Sequence, residues 1–303
     1  MTDTAQAMGL VADALGLQPL RATHMDFGHM SVTYDVALPD RHVMVRANER
    51  AEVFAGTERN LAILTRLGLP VPRVLASGLS RAHYPFAYMI LEKIPGRDLR
   101  DELPSMTPAR MTRLAERIVL YQRTVATLPR GTGFGWVPIG EQGPFASWLD
   151  LVRADLGKST NAAEGAVPVE LVTRIRGLAE QFAPYLAQVP PTCFLDDVTT
   201  KNVIVQGGEL QGLVDFDVVC YGDPLYMVGL TATAVVSDIG RRELFYVDEL
   251  CRYWGLNAEQ RRVVALYAAM FALEFMGRWR GHETEDWADR MLAAMEQWVA
   301  LAE

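Results

Sequence analysis

The period of the apolar residues changes near residue 95, and that change limits the folds open to the chain. Before it, short alternating runs dominate. HMSVTYDVAL (29–38) and RHVMVRAN (41–48) alternate on either side of Pro39-Asp40 and read as a hairpin. A helix is expected from Thr57 to Leu67, with Leu61, Leu64 and Leu67 on one face and Gly68 and Pro70 as its stop. VPRVLASG and YPFAYMILEKI read as two more strands. After Pro95-Gly96 the period is helical. Thr107-Pro108 supplies a cap and a first-turn proline, and Leu114, Ile118, Tyr121 and Val125 form an apolar stripe. PRGTGFGWVPIGEQGP (129–144) reads as a Gly/Pro loop, and a single hairpin, NVIV-QGGE-LQGLVDFD, interrupts the helices. The pattern predicts an α+β chain of two lobes. Residues 1–94 form a small antiparallel-sheet lobe, and residues 95–303 form a larger helical lobe.

Length and charge exclude several functions. The chain has 303 residues, half of them hydrophobic, enough for two cores. A net charge of -8 argues against a nucleic-acid surface. Cys193, Cys220 and Cys251 have no zinc spacing and cannot all pair, which favours a reduced, cytoplasmic setting. MTDTAQAMGLVADALGL lacks the basic and apolar regions of a secretion signal, and the apolar run 263–276 is interrupted by Glu274 and too short to span a bilayer. A monomer or weak dimer with no membrane and no nucleic-acid partner is expected.

The chemistry concentrates in CFLDDVTTKNVIV (193–205) and LVDFDVVCYGDP (213–224). Asp197 and Asn202 are five residues apart, and Asp215 lies thirteen beyond Asn202, across the hairpin turn at Gln206–Glu209. Asn202 at the start of one strand and Asp215 at the end of its partner suit a hard divalent cation with oxygen ligands. Asp197, on the preceding loop, would accept a hydroxyl proton. Phosphoryl transfer needs these parts: ligands for the metal on the phosphates, and a carboxylate that orients the attacking oxygen. Singly, each residue is what a turn or cap attracts; the ordered set is harder to reach by chance. Other motifs fail on inspection. Gly157-Lys158-Ser159 follows a helical pattern and has Val152 where a phosphate loop needs Gly. Gly131, Gly133 and Gly135 lack the dinucleotide spacing, and His282-Glu283 has no second His at the zinc-protease spacing.

With these motifs the sequence resembles the aminoglycoside phosphotransferase and choline-kinase-like family, the small-molecule relatives of the protein kinases. Leu195-Asp196-Asp197 through Asn202 is similar to the family's H-G-D-x4-N motif, and Val214-Asp215-Phe216 to its second acidic motif. Gly222-Asp223-Pro224-Leu225-Tyr226 looks like the segment that follows, and GLPVPRVLASG and YMILEKIPGRDL resemble upstream segments in the same order. The resemblance implies a protein-kinase-like fold using magnesium with ATP or GTP. It implies Asp197 as catalytic base and Asn202 and Asp215 as magnesium ligands. It also implies Arg46 on the nucleotide phosphates, oriented by Glu58. Gly28 to Ser31 would form the loop over the phosphates, and Glu92, Lys93 and Ile94 would offer backbone groups to the purine. Lys201, just before Asn202, would reach the transferring phosphate.

The departures are specific. Leu195 replaces the motif's His, so the support of the catalytic loop must come from elsewhere; Asp196 replaces a Gly, Arg46 stands where Lys is usual, and Met227 where many relatives have Asp. The resemblance places the acceptor pocket in the helical lobe, near Tyr226, Glu274, Trp279, Arg280 and Asp286. Of these Glu274 stands out, since a carboxylate in an apolar helix wants a partner. Phe275 and Trp279 read as core, and Glu283, Glu285 and Asp286 as a solvated loop and helix start. The expected acceptor is a small-molecule hydroxyl, on an aminoglycoside, another antibiotic or a metabolite; Asp196 and Asp217 favour a cationic one. The competing expectation is a pseudokinase-like module that binds nucleotide without transferring phosphate, motivated by Leu195 and Arg46. A protein substrate fits less well, because Gly222-Asp223-Pro224 leads directly from Asp215 into a helix.

Overall fold

The computed structural model describes residues 3–25, 31–278 and 284–303. The chain divides into two compact units, Met1–Gly96 with Gln211–Val218, and Arg97–Leu210 with Val219–Glu303.

The first unit holds α1 (Thr4–Leu15), β1 (Arg21–Met25), β2 (Val32–Ala37), β3 (His42–Asn48), α2 (Thr57–Arg66), β4 (Val74–Gly78) and β5 (Ala87–Glu92). Its five strands form one antiparallel sheet in the order β1-β2-β3-β5-β4. Helix α1 and strand β1 were not anticipated in the sequence. Asp3 caps α1 by accepting from the Gln6 amide, and Gly16 closes it in a left-handed conformation at φ 66°. Ala7, Leu10 and Val11, one helical face, are buried with Val36, Val43 and Val45 of the sheet. The short Asp-to-Gly span is a helix signal that the strand-rich reading of this region overlooked.

The second unit opens with β6 (Arg97–Asp98), α3 (Leu99–Glu102), α4 (Pro108–Val125), β7 (Gly135–Val137), α5 (Trp148–Ala162), α6 (Val169–Gln181) and α7 (Ala183–Leu186). It continues with β8 (Thr192–Phe194), β9 (Val203–Gln206), β10 (Glu209–Leu213, whose residues from Gln211 on count with the first unit), β11 (Val219–Gly222), α8 (Leu225–Asp238), α9 (Phe245–Trp254), α10 (Ala258–Arg278) and α11 (Glu285–Ala302). The expected hairpin is β9–β10, turning at Gly207-Gly208, where both φ are positive. It is not the single interruption of the helices, because β7, β11 and β8 form a second small sheet in that order. Those strands are three or four residues long, too short for alternation to show, and β7 lies within the expected 129–144 loop. Gly157-Lys158-Ser159 lies inside α5, away from any strand-to-helix turn. The three cysteines are free and buried. Among the described residues no helix is long and apolar enough to cross a membrane.

The Gly222-Asp223-Pro224-Leu225-Tyr226 segment owes its composition to packing. A Cβ on Gly222 would lie 2.1 Å from the Trp148 ring, so no larger residue fits there. The buried Asp223 carboxylate accepts from the hydroxyls of Tyr267 (2.9 Å) and Tyr185 (3.1 Å) and from the Leu225 amide (3.0 Å) at the start of α8. Burial raises its pKa, opposed by these three donors.

Candidate active site

The side chains singled out in the sequence fall into two groups, one in each unit. In the first unit the centre is Arg46 on β3. Its Nη1 and Nη2 donate to the two carboxylate oxygens of Asp217 at 2.8 and 2.6 Å, and its Nε donates to the Ser31 hydroxyl at 3.2 Å. This is the forked pairing for which guanidinium is suited and ammonium is not. Asp215 lies 3.8 Å from the same guanidinium. The first turn of α2 holds the segment: Thr57 Oγ1 donates to Asp217 at 2.7 Å, and Asn60 Nδ2 donates to the carbonyls of Phe216 and Asp217 at 2.9 and 3.1 Å.

Two expectations change here. Glu58 is not paired with Arg46 here; among the described residues the carboxylates at the guanidinium are those of Asp217 and Asp215. The cause is helical phase. Thr57 and Asn60, three apart, share the inward face of α2 with Leu61 and Leu64, and Glu58 is rotated about 100° away from Thr57 on a half-buried side. Asp217, expected to face a cationic acceptor, has both oxygens engaged by Arg46 and Thr57.

Asp215 occupies the left-handed region at φ 69°, a conformation that costs a non-glycine residue about 1–3 kcal/mol. The bonds from Asn60 to the two following carbonyls hold it there. Its side chain remains 54% exposed. Surrounding protein raises its pKa and the neighbouring Asp217 adds to the rise, while Arg46 opposes both.

At the end of β5, the Glu92 amide donates to the Arg73 carbonyl and the Lys93 amide to the His42 carbonyl. Ile94 is thus the amide of this trio without a backbone partner among the described residues. The Lys93 ammonium pairs with Asp35 at 2.7 Å and the Glu92 carboxylate with Arg73 at 2.8 Å. Gly28 lies outside the described residues.

In the second unit the loop after β8 carries the other group. Leu195 is buried, and the side chain of Gln122 on α4 meets its backbone from both sides. Gln122 Nε2 donates to the Leu195 carbonyl at 2.6 Å, and the Leu195 amide donates to Gln122 Oε1 at 3.0 Å. Asp196 accepts from the Trp136 indole N–H at 2.5 Å. Asp197 Oδ1 accepts from the Thr199 hydroxyl at 2.9 Å, and its carbonyl accepts from Asn202 Nδ2 at 3.0 Å. The amide nitrogen of Asn202 thus faces its own loop, so Oδ1 is the atom it offers as a ligand. The far end of the loop is held by Asp238, the last residue of α8. It accepts from the Thr200 hydroxyl at 2.7 Å and pairs with the Lys201 ammonium at 3.4 Å. The Arg100 amide donates to the Thr200 carbonyl.

The acceptor-side expectations divide. Tyr226 is 3% exposed, packed against Trp148, Tyr267 and Phe271, with its hydroxyl on Asp155 at 3.2 Å. It is a core residue rather than an open contact, because a ring of this size at the start of the apolar helix α8 fills the space between helices. Glu274 is partly buried and bonded to Arg278; burial raises its pKa, and the charge of Asp155 adds to the rise against Arg278. Burial also raises the pKa of Asp155 itself. Asp155 is a carboxylate the sequence reading missed, hidden in the same helix as Gly157-Lys158-Ser159. Asp286 is exposed. Trp279, Arg280 and His282-Glu283, and the side chain of Glu285, lie outside the described residues.

A profile of the phosphotransferase enzyme family matches residues 28–267. The chain belongs to this family. No curated protein sequence matches this phosphotransferase-family chain. Among solved structures it is similar to a thermostable mutant of the aminoglycoside phosphotransferase APH(4)-Ia, in ternary complex with AMP-PNP and hygromycin B. The TM-score is 0.68 at 16% identity, over 98% of each chain. It is similar to APH(2")-IIia in complex with GDP and kanamycin, with a TM-score of 0.70 at 12% identity over 97% of this chain and 98% of that one. It is also similar to a putative fructosamine-3-kinase from Haemophilus somnus 129PT, with a TM-score of 0.62 at 14% identity over 96% of both. At these identities the likeness shows the fold, and the family member has the two-lobed, protein-kinase-like α+β architecture, with a small antiparallel sheet in one lobe and helices dominating the other.

Proposed function

We propose that the protein is a magnesium- and nucleotide-dependent phosphotransferase that moves the γ-phosphate of ATP or GTP to a hydroxyl of a small molecule. The observation that carries this reading is the loop 195–202. It presents Asp197 with its backbone carbonyl tied to Asn202 and its ends anchored by buried or half-buried partners. A carboxylate held this way suits general-base work, in which a positioned acceptor takes the proton of the attacking hydroxyl. The side-chain oxygens of Asn202 and Asp215 are hard donors fit for magnesium, which supplies charge neutralisation on the phosphates when bound. Arg46, whose fork is on Asp217 in this structure, would release that carboxylate to fork onto phosphate oxygens, Gly28 to Ser31 would cover them, and Lys201 would reach the phosphate in transit. Glu92, Lys93 and Ile94 would face the purine, with the Ile94 amide as donor. No covalent intermediate is required; positioning and electrostatics supply the rate.

The acceptor we favour is a cationic small molecule, an aminoglycoside or another amine-bearing compound. Asp155 and Glu274 support this, together with Asp196. Relatives of the same fold were solved with hygromycin B and kanamycin. A pseudokinase-like role is the alternative. It differs in one result: magnesium-dependent release of labelled phosphate from the γ-position, even slow and without acceptor, belongs to the enzyme and not to the module.

Metal dependence has its own test. Asp215→Asn exchanges an ionised ligand for a neutral one, so the magnesium-dependent rise in melting temperature on adding ATP or GTP should disappear. An undiminished rise in that variant removes Asp215 from the metal site.

A further inference from the structure

We propose that Gln122 is a positioning residue for the catalytic loop, a buried amide that sets the backbone from which Asp197 projects. The proposal rests on the phosphotransferase reading for its consequence in turnover, but not for its geometry. The buried stripe of α4 is Met111, Leu114, Ala115, Ile118, Val119, Gln122 and Val125, so Gln122 is its one strongly polar side chain. It is 1% exposed. Burying an unbonded amide is costly, and a helix that needed only packing would avoid that cost with Leu or Met. Both polar ends of Gln122 are matched, and to a single residue: Nε2 to the Leu195 carbonyl and Oε1 to the Leu195 amide.

Leu195 is where the strand pairing stops. β8 ends at Phe194, the residue opposite Cys220 on β11, and β8 is an edge of its sheet. Gln122 therefore supplies one more rung beyond the strand, made by a side chain in place of a neighbouring strand. Its two bonds fix the peptide units on both sides of Leu195, and the second of these carries the amide of Asp196. Asp197 follows one residue later. With Asp238 and Arg100 on Thr200, the loop is held at both ends while Asp197 lies between. Leu195 itself contributes only an apolar side chain, 2% exposed. Orientation that depends on hydrogen bonds has to come from a partner elsewhere in the chain, and Gln122 is that partner.

The test uses the full chain with magnesium and ATP or GTP. Gln122→Met keeps the volume and can make neither bond. Gln122→Glu can accept from the Leu195 amide but can donate to the Leu195 carbonyl only when its carboxyl is protonated. Phosphate release and hydrogen exchange of residues 193–202 are read for each. Gln122→Met should lower kcat by about 10- to 100-fold, the scale of a small misplacement, with the nucleotide KM within about twofold of wild type. Exchange should quicken in 193–202 while the β1–β5 sheet keeps its protection. In Gln122→Glu the rate relative to wild type should rise as pH falls, because protonation restores the donor. Turnover within twofold of wild type in both variants overturns the positioning role. If Gln122→Met does not fold, a Gln122→Glu profile parallel to wild type across pH does the same. If the wild type neither releases phosphate nor labels any acceptor, the phosphotransferase reading falls. The clamp is then judged by exchange alone, and unchanged protection of 193–202 in both variants overturns it.

Discussion

Asp197→Asn is expected to lower phosphoryl transfer about 10²- to 10⁴-fold, the range for loss of a general base, while nucleotide and magnesium still bind. The fold should survive, because the substitution keeps what the loop uses structurally. An Asn oxygen still accepts from Thr199, and the backbone carbonyl still accepts from Asn202. What is lost is the negative charge that takes the proton. The neighbouring carboxylate makes the control. Asp196 accepts from the Trp136 indole, a bond that an Asn oxygen can also accept, so Asp196→Asn should change acceptor affinity or local stability more than turnover. Single-turnover transfer, or nucleotide hydrolysis where no acceptor is in hand, separates the two. A dead Asp196→Asn beside a normal Asp197→Asn would move the catalytic register by one residue.

The second large effect is expected at Arg46 and Asp217. Their side chains are 14% and 20% exposed, and Asp217→Ala leaves the guanidinium with Asp215 at 3.8 Å as its nearest carboxylate. Breaking a pair in such a position costs a few kcal/mol; we expect about 2–4 kcal/mol in urea or thermal unfolding. The Thr57 hydroxyl loses its acceptor in the same substitution. Glu58→Gln should stay within about 0.5 kcal/mol of wild type, as for a half-exposed residue with no ion pair among the described residues. A double-mutant cycle makes the contrast sharp: Arg46 and Asp217 should couple, and Arg46 and Glu58 should be additive. Coupling in the Glu58 cycle of the same size as in the Asp217 cycle would contradict the pairing described for the first unit.

What could be read from the sequence, and what could not, follows from range. The β2–β3 hairpin, helix α2 and the β9–β10 hairpin depend on local period and on Pro and Gly stops, and all three are legible. Asp197, Asn202 and Asp215 stand out as an ordered motif because their spacing is contained in one loop and one hairpin. Partners brought from distant segments were not. Asp217 and Arg46 are 171 residues apart in sequence, and the family resemblance pointed instead to Glu58 on the following helix. Gln122 was missed for a chemical reason. In reading the α4 stripe, an apolar pattern selects Tyr121 over its polar neighbour, whereas the structure buries Gln122 and leaves Tyr121 half-exposed. The signal available was phase: positions 111, 115, 118, 122 and 125 continue one face only if Gln122 belongs to it. Asp238 gave no signal at all, since nothing in a helix-ending Ser-Asp indicates that it will meet a loop 38 residues earlier.

The central claim is that this chain transfers phosphate to a small-molecule hydroxyl. It is tested most directly by incubating wild type and Asp197→Asn with magnesium and γ-labelled ATP or GTP across a panel of hydroxyl compounds rich in aminoglycosides and other amines. The account predicts label in an acid-stable phosphate monoester of at least one compound with wild type, and its near absence with Asp197→Asn. Nucleotide bound with a clear melting shift, yet no label in any acceptor and no phosphate released, would contradict it.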